Sequence, residues 1–305
     1  MPKYSIVIPV YNVEDYIKRT LDSVFNQTEK DFEVIVVDDD CTDNSMEIVK
    51  DYDVKIVKTK HVSVSEARNI GVKHTKGDYL IFLDSDDYWD KNVLKEVSKS
   101  LKNDPDVVRF QVRTVTDTGE KTDFKEETFE GITGEEAFER ITRFHFVESV
   151  WCYAIKRKFY LKEKFQFAKG MIHEDFGLTP LIVIKASKVN SISYIGYNYY
   201  RRSGSIMNTP DYEWTKRKVK DFYYHYLYLM KEIENVHVNK EVFKSFCANS
   251  LIIKICELHK EDYKEYKKKL KKDKVFDNLL VNTIPRRIKK ILFKISPKLT
   301  TKLMK

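Results

Sequence analysis

Three carboxylates fall within four positions in Asp84-Ser85-Asp86-Asp87, directly after the run Tyr79-Leu80-Ile81-Phe82-Leu83. Unpaired ionised carboxylates cost too much to desolvate, so this cluster must meet water, a cation or a basic partner. Hard oxygen ligands in such a place suit magnesium or manganese. Taken alone, the cluster also reads as a solvated acidic turn ahead of a helix that starts near Lys91. A second cluster, Asp38-Asp39-Asp40, follows another apolar run, Phe32 to Val37. A third acidic pair, Glu174-Asp175, stands after His173 and before the apolar stretch Phe176 to Ala186. There it reads as a cap for that helix.

The elements that position these groups follow from the spacing of apolar residues. Tyr4 to Val10 (YSIVIPV) is a β-rich run with Pro9 near its end, where a missing ladder donor is tolerable. Asn12 is placed to cap a helix in which Val13, Ile17, Leu21 and Val24 recur at helical spacing. Phe32 to Val37 is a second strand, Lys55 to Thr59 a third, and Ser65 to Thr75 a helix; Gly77 turns the chain into the strand Tyr79 to Leu83. This βαβαβαβ alternation predicts a mainly parallel sheet covered on both faces. Both Asp clusters then share one edge, beyond the carboxyl ends of the strands, where open α/β sheets bind ligands.

Further along, Lys91 to Leu101 reads as a helix, Val107 to Val115 as a strand and the polar segment to Gly131 as a hairpin or loop. Gly134 to Thr142 reads as a helix, Val150 to Ile155 as a strand and Phe176 to Ala186 as a helix. Val189 to Tyr200 is a strand ending in Arg201-Arg202-Ser203-Gly204-Ser205. From about Tyr212 the pattern is all-helical.

At 305 residues the chain suffices for one large domain or two smaller ones. No apolar run approaches the ~18–20 residues of a transmembrane helix, and the N-terminus enters a strand pattern with no signal-peptide core. Cys41, Cys152, Cys247 and Cys256 lack paired metal spacing and read as reduced thiols of a cytoplasmic protein. The net charge of +8 is uneven: Tyr263 to Lys305 holds 15 Lys and Arg against 3 Asp and Glu, leaving −4 on the remainder. Such asymmetry points to an anionic partner, membrane or nucleic acid. No nucleic-acid motif accompanies it, and the acidic edge would repel a phosphate backbone. Within the tail, Ile284, Ile288, Ile291, Leu292, Ile295, Leu299 and Leu303 alternate with Arg286, Arg287, Lys289, Lys290, Lys294, Lys298 and Lys302. That is a basic amphipathic pattern, which Pro297 would kink or break. It suits a membrane interface; packing on the chain's own helices or on a second subunit is the alternative.

Four stretches taken together, Tyr4–Asn12 (YSIVIPVYN), Val36–Ser45 (VVDDDCTDNS), Ser65–Gly71 (SEARNIG) and Gly77–Asp87 (GDYLIFLDSDD), resemble the family-2 glycosyltransferases. These are nucleotide-sugar enzymes with the GT-A fold. The resemblance is close over residues 3–105. It continues more loosely through His173-Glu174-Asp175 and Tyr199–Ile206 (YYRRSGSI), as in bacterial capsule, exopolysaccharide and cell-wall glycan transferases. It implies an α/β, Rossmann-like GT-A catalytic domain over 1–210, with a nucleotide-binding half at 1–105 and an acceptor-binding half at 106–210. A helical, basic region at 211–305 follows. It implies an inverting, metal-dependent transfer from a nucleotide sugar, expected to be a UDP-sugar, to a hydroxyl of a polysaccharide or lipid-linked glycan. The expected location is cytoplasmic and peripheral, on the inner face of the plasma membrane. A homo-oligomer through the C-terminal helices is a further expectation.

By the same resemblance Asp86 coordinates Mn2+ or Mg2+, and Asp84 touches ribose or a metal-bound water. Ser85 between them also contacts the nucleotide, Asp39 accepts the imide N–H of a uracil, and Pro9 and Tyr11 flank the base. Arg68 reaches nucleotide or diphosphate, Asp175 is the general base, and Arg201, Arg202 and Ser205 clamp the diphosphate. The chain departs from the family twice. Asp40-Cys41 stand where Gly-Ser is usual, and Lys60-His61-Val62 where a Gly-rich turn is common. Loss of glycine is expected to shift both loops. Two other readings compete. A sugar nucleotidyltransferase would show a Gly-rich basic loop after the first strand, and Tyr11-Asn12-Val13 is not one. A non-catalytic nucleotide-sugar or polyanion-binding protein would dock through residues 263–305.

Overall fold

A computed structural model describes residues 1–201, 211–281 and 283–298. The first third alternates as expected: β1 (Tyr4–Val10), α1 (Glu14–Phe25), β2 (Phe32–Asp38), α2 (Ser45–Val49), β3 (Lys55–Lys58), α3 (Val64–Lys73) and β4 (Tyr79–Phe82). β1 runs parallel to β2 and β4, and β2 parallel to β3. Every residue of β1 is buried, as befits a strand with neighbours on both edges and layers on both faces. From α1, Ile17, Leu21 and Val24 enter the core, each burial contributing about 1.5–3 kcal/mol. Gly77 matters where the chain returns to β4: a Cβ there would lie 2.6 Å from the Tyr4 carbonyl carbon and 2.7 Å from the Ser5 nitrogen.

The sheet then becomes mixed. β5 (Tyr88–Trp89), α4 (Val93–Lys99), β6 (Val107–Thr116), β7 (Lys121–Phe124), β8 (Phe129–Ile132) and α5 (Gly134–Ile141) come next. They are followed by β9 (Tyr153–Lys156), α6 (Arg157–Lys162), α7 (Thr179–Lys185) and β10 (Val189–Arg201). The strand order is β3-β2-β1-β4-β9-β6-β10-β5. β9 lies antiparallel between β4 and β6, joining the two halves, while β6 and β10 pair in parallel. The polar segment after Thr116 does form a hairpin, with β7 antiparallel to β6.

The remaining described elements are helical, as the pattern predicts: α8 (Tyr212–Ile233), α9 (Glu241–Ile255), α10 (Lys260–Lys272) and α11 (Ile284–Ile295). Aromatic contacts carry the core into them. Phe176 stacks on Phe222 of α8 at 3.9 Å, and Phe138 of α5 lies 5.2 Å from Phe243 of α9. No described helix is long and apolar enough to cross a membrane. The four cysteines form no disulfide.

Three local expectations need correction. Val150–Cys152 is a turn of 3-10 helix, and the strand starts only at Tyr153; a short apolar run does not reveal its period. The helix expected from Phe176 begins at Thr179, because the amides of Leu178 and Thr179 both bond the Asp175 carbonyl in a tight turn. Asp175 therefore does not stand in the first turn of a helix. Finally, Asn12 does not cap α1. It sits at φ +47° and its amide bridges to Thr42. The amides of Val13 and Glu14 are taken instead by Ser45 Oγ at 2.8 Å and Asp43 Oδ2 at 3.0 Å.

Candidate active site

The ends of β1, β2 and β4 lie side by side, and the acidic clusters emerge there. At the end of β2 the Asp39 amide bonds the Val10 carbonyl, which fixes the loop to β1. Asp39 Oδ1 accepts from Thr59 Oγ1 at 2.5 Å and from the Val62 amide at 2.7 Å. Its Oδ2 faces the His61 ring at 3.8 Å, outside hydrogen-bond reach. The exposed Tyr11 ring lies 4.3 Å from His61. Pro9 stays buried inside β1, opposite Val37, so its side chain belongs to the sheet. Asp38 Oδ1 holds the Cys41 amide at 3.0 Å.

Neither of these loops contains a glycine. Asp40 and His61 take the left-handed backbone themselves, at φ +70° and +46°, a conformation that costs an ordinary residue about 1–2 kcal/mol. The bonds that Asp38 and Asp39 make to Cys41 and Val62 hold the chain there.

After β4 the turn Asp84–Asp87 is gripped from α1, which the sequence reading did not foresee. Thr20 Oγ1 lies 2.9 Å from the Ser85 carbonyl and 2.6 Å from that of Asp87. Arg19 Nη2 donates to the Asp86 carbonyl at 2.8 Å. The Arg19 guanidinium is itself packed on Tyr200 at 4.0 Å and Tyr88 at 4.7 Å. Ser85 is nearly buried within this grip. Asp87 is buried and accepts from Tyr197 Oη at 2.6 Å and the Tyr200 amide at 2.7 Å. Burial, with Asp86 and Asp84 beside it, pushes its carboxyl well above the usual range. Asp87 is thus a strut that ties the turn to the end of β10.

Arg68 joins the two acidic regions. It lies in the second turn of α3, is 3% exposed, and faces carboxylates. Nη2 meets Asp84 Oδ1 at 2.7 Å; Nη1 meets Glu174 Oε1 at 2.5 Å and Asp175 Oδ1 at 3.1 Å. In this structure its guanidinium is engaged by these carboxylates. Three carboxylates against one cation leave net negative charge. Asp175 also accepts from the Val150 amide at 3.2 Å, so the unforeseen 3-10 turn contributes to its position. Burial, reinforced by Glu174 and Asp84 and opposed by Arg68, raises its pKa well above the usual carboxylate range.

The helical region reaches this segment as well. Asp221 Oδ2 accepts from the Ile172 amide at 3.1 Å, and His225 Nε2 lies 3.0 Å from the Ile172 carbonyl. These residues are four apart on α8 and grip the chain two positions before Glu174. A Cβ on Gly177 would approach His225 Nδ1 to 2.3 Å, so the turn closes only around glycine. Burial, with Lys254 and Lys218 nearby, lowers the His173 pKa to about 3, so this ring is neutral. A long-range grip of this kind leaves no sequence signal beyond polar residues on an apolar helix.

Asp84 and Asp86 supply hard oxygen donors two residues apart on one turn, a set that fits Mg2+ or Mn2+. Among the described residues no third His, Cys, Asp or Glu joins them, so phosphate oxygens and water would complete the shell. Of these two, Asp84 Oδ1 also pairs with Arg68 Nη2 at 2.7 Å. Arg201 ends β10 and is exposed, one residue beyond the Tyr200 amide held by Asp87. Arg202 and Ser205 lie outside the described residues.

Residues 5–167 match the sequence model described as Glycosyl transferase family 2. Glycosyltransferase GlyA of Streptococcus pneumoniae is 27% identical over 235 residues, 70% of this chain and 32% of its own. The uncharacterized glycosyltransferase EpsJ of Bacillus subtilis is 30% identical over 182 residues, 57% of this chain and 52% of its own. Poly(ribitol-phosphate) beta-N-acetylglucosaminyltransferase TarS of Staphylococcus aureus is 32% identical over 142 residues, 44% of this chain and 25% of its own. The chain thus spans between a quarter and about half the length of these relatives. A crystal structure of S. aureus TarS 1-349 in complex with UDP-GlcNAc superposes with a TM-score of 0.74, covering 99% of this chain and 92% of that one at 18% identity. That likeness is one of fold.

Proposed function

Since this chain belongs to glycosyl transferase family 2, we propose that its acidic edge is the donor site of an inverting transferase. The enzyme moves a sugar from a UDP-sugar to a hydroxyl of a polysaccharide or lipid-linked glycan. The observation that carries this reading is the Arg68 bridge, which links a carboxylate of the Asp84–Asp87 turn to Asp175 through a single side chain. A leaving-group site and a proton acceptor at such close quarters are what a one-step displacement needs.

In that displacement Asp175 takes the proton of the acceptor hydroxyl. The hydroxyl oxygen attacks the anomeric carbon from the face opposite the diphosphate. The bond from that carbon to the diphosphate breaks, and UDP leaves. A divalent ion held by Asp86 and Asp84 would supply positive charge to the departing phosphate oxygens. Arg68 holds Asp175 and Asp84 in fixed relation, and Arg201 stands at the rim for the diphosphate. Asp39 offers Oδ2 to the uracil imide, with Tyr11 beside it as a ring surface. The basic C-terminal region is the part we assign to an anionic membrane surface, where lipid-linked acceptors are concentrated.

Two variants probe the supports of this site. Asp39→Asn keeps an oxygen for Thr59 and Val62 but presents an amide donor where an acceptor is needed. UDP affinity is expected to fall ~10- to 100-fold, the worth of a hydrogen bond to a charged group, with little change in turnover at saturating donor. A competition titration of UDP against GDP checks this; equal affinity of wild type for both removes Asp39 from base recognition. Arg19→Gln frees the Asp86 carbonyl. The manganese concentration for half-maximal UDP binding is expected to rise ~10-fold, as for a residue supporting a metal ligand, and Arg19→Lys should restore part of it. An unchanged metal titration would show that the grip of α1 does not reach the ligand.

A further inference from the structure

α11 sits on the protein the wrong way round for a surface helix. Its cations Arg286, Lys289 and Lys290 line a cavity of about 230 Å³ shared with Val242, Ser245 and Phe246 of α9. Phe293, on the same side, is buried. The opposite side carries Ile288, Ile291, Leu292 and Ile295, 52%, 58%, 38% and 66% exposed. These recur at i, i+3, i+4 and i+7, so they form one continuous apolar stripe. A helix that packs on its own domain turns such a stripe inward. Here the stripe faces out, and the charged side lies against a half-apolar cavity with no acidic residue among those that line it.

We propose that α11 lies in an anionic bilayer, stripe among the acyl chains, and that the cavity beneath it receives the phosphate of one lipid headgroup. This rests on the membrane reading above and gives it a surface and a site. The charge supports a lipid as occupant rather than a second copy of the chain. Arg287 flanks the stripe, as does Lys294, which pairs with Asp277; the neighbouring α10 adds Lys267, Lys268, Lys271 and Lys272, while its Lys264 and Lys269 are paired to Glu261 and Glu265. Two such basic faces would repel each other, whereas anionic lipid is complementary to both. Inside the cavity Lys290 Nζ lies 3.2 Å from the Asp277 carbonyl and 3.4 Å from that of Leu279. Burial and Arg286 lower the pKa of Lys289, a strain that a phosphate would relieve. A long lysine stem can run along apolar surface while its ammonium meets a headgroup.

The test uses the full chain and vesicles of phosphatidylcholine, with or without phosphatidylglycerol, in co-sedimentation at low and high salt. Wild type should bind only the anionic vesicles and release as salt rises. Arg286→Ala with Lys289→Ala should weaken binding roughly 30-fold, the effect of two cations near a charged surface. Ile291→Ser with Ile295→Ser should weaken it by at least ~10-fold while leaving the cations in place. UDP-sugar hydrolysis without vesicles, unaltered in both pairs, shows that each variant is folded and reports the transferase reading separately. Failure of wild type to bind anionic vesicles overturns the proposal. So does equal binding to phosphatidylcholine alone, or a concentration-dependent dimer abolished by the isoleucine pair. If glycerol phosphate in solution protects the chain from thermal unfolding through Lys289 but vesicles do not bind, the cavity serves a soluble phosphate and the lipid assignment falls. If the cavity pair binds vesicles like wild type, the headgroup site falls.

Discussion

Asp175→Asn is expected to lower sugar transfer by at least ~10²-fold while leaving donor affinity within a few-fold of wild type. The lower bound is the usual contribution of a positioned general base. Asparagine keeps one oxygen, enough to accept from Arg68 at Oδ1 but not also from the Val150 amide at Oδ2; the shape of the side chain is retained, and it cannot take a proton. The pH profile adds a second mark. Only the ionised carboxylate is a base, and burial raises the carboxyl's pKa. The rate should therefore be present at high pH and lost as pH falls, through an apparent value well above the ~4 of a free aspartate. In Asp175→Asn that limb should vanish. Loss of UDP binding together with turnover would make Asp175 a structural support instead, and an unchanged rate would remove it from the chemistry.

Asp86→Ala carries the other large effect. Transfer and metal-dependent UDP binding should both fall by roughly 10³-fold, as when charge stabilisation of a leaving group is removed. The fold should survive, because the turn is held by backbone carbonyls that alanine also has, through Arg19 and Thr20. Calorimetry of UDP with and without manganese, beside a melting curve, separates the two outcomes. Near wild-type transfer by a folded Asp86→Ala would end the metal assignment.

Much of this site was legible from the sequence because its chemistry sits at strand ends. The buried run before Asp84 and the one before Asp38 each point to a parallel strand, and parallel topology alone brings Asp39 and Asp84 to one edge. What was not legible are contacts between residues far apart in the chain. Arg68 reads as a helix residue that reaches a ligand or makes a surface ion pair with Asp or Glu; its burial against Asp84, Glu174 and Asp175 depends on a loop about a hundred positions later. Arg19 and Thr20 carry no motif, since they act on backbone carbonyls that any sequence supplies. The start of α7 was misplaced because Phe176 and Leu178 are apolar for packing and not for helix periodicity. At Asp40 and His61 a left-handed backbone is held without glycine, by the hydrogen bonds that Asp38 and Asp39 make nearby.

The central claim is that this edge binds and activates a UDP-sugar. It is tested most directly by nucleotide release from a panel of UDP-, GDP- and dTDP-sugars, with manganese and without acceptor. The account predicts slow release of UDP from at least one UDP-sugar, abolished in Asp86→Ala and absent for GDP-sugars. Turnover of GDP-sugars in preference to UDP-sugars, or UDP release undiminished in Asp86→Ala, would contradict it.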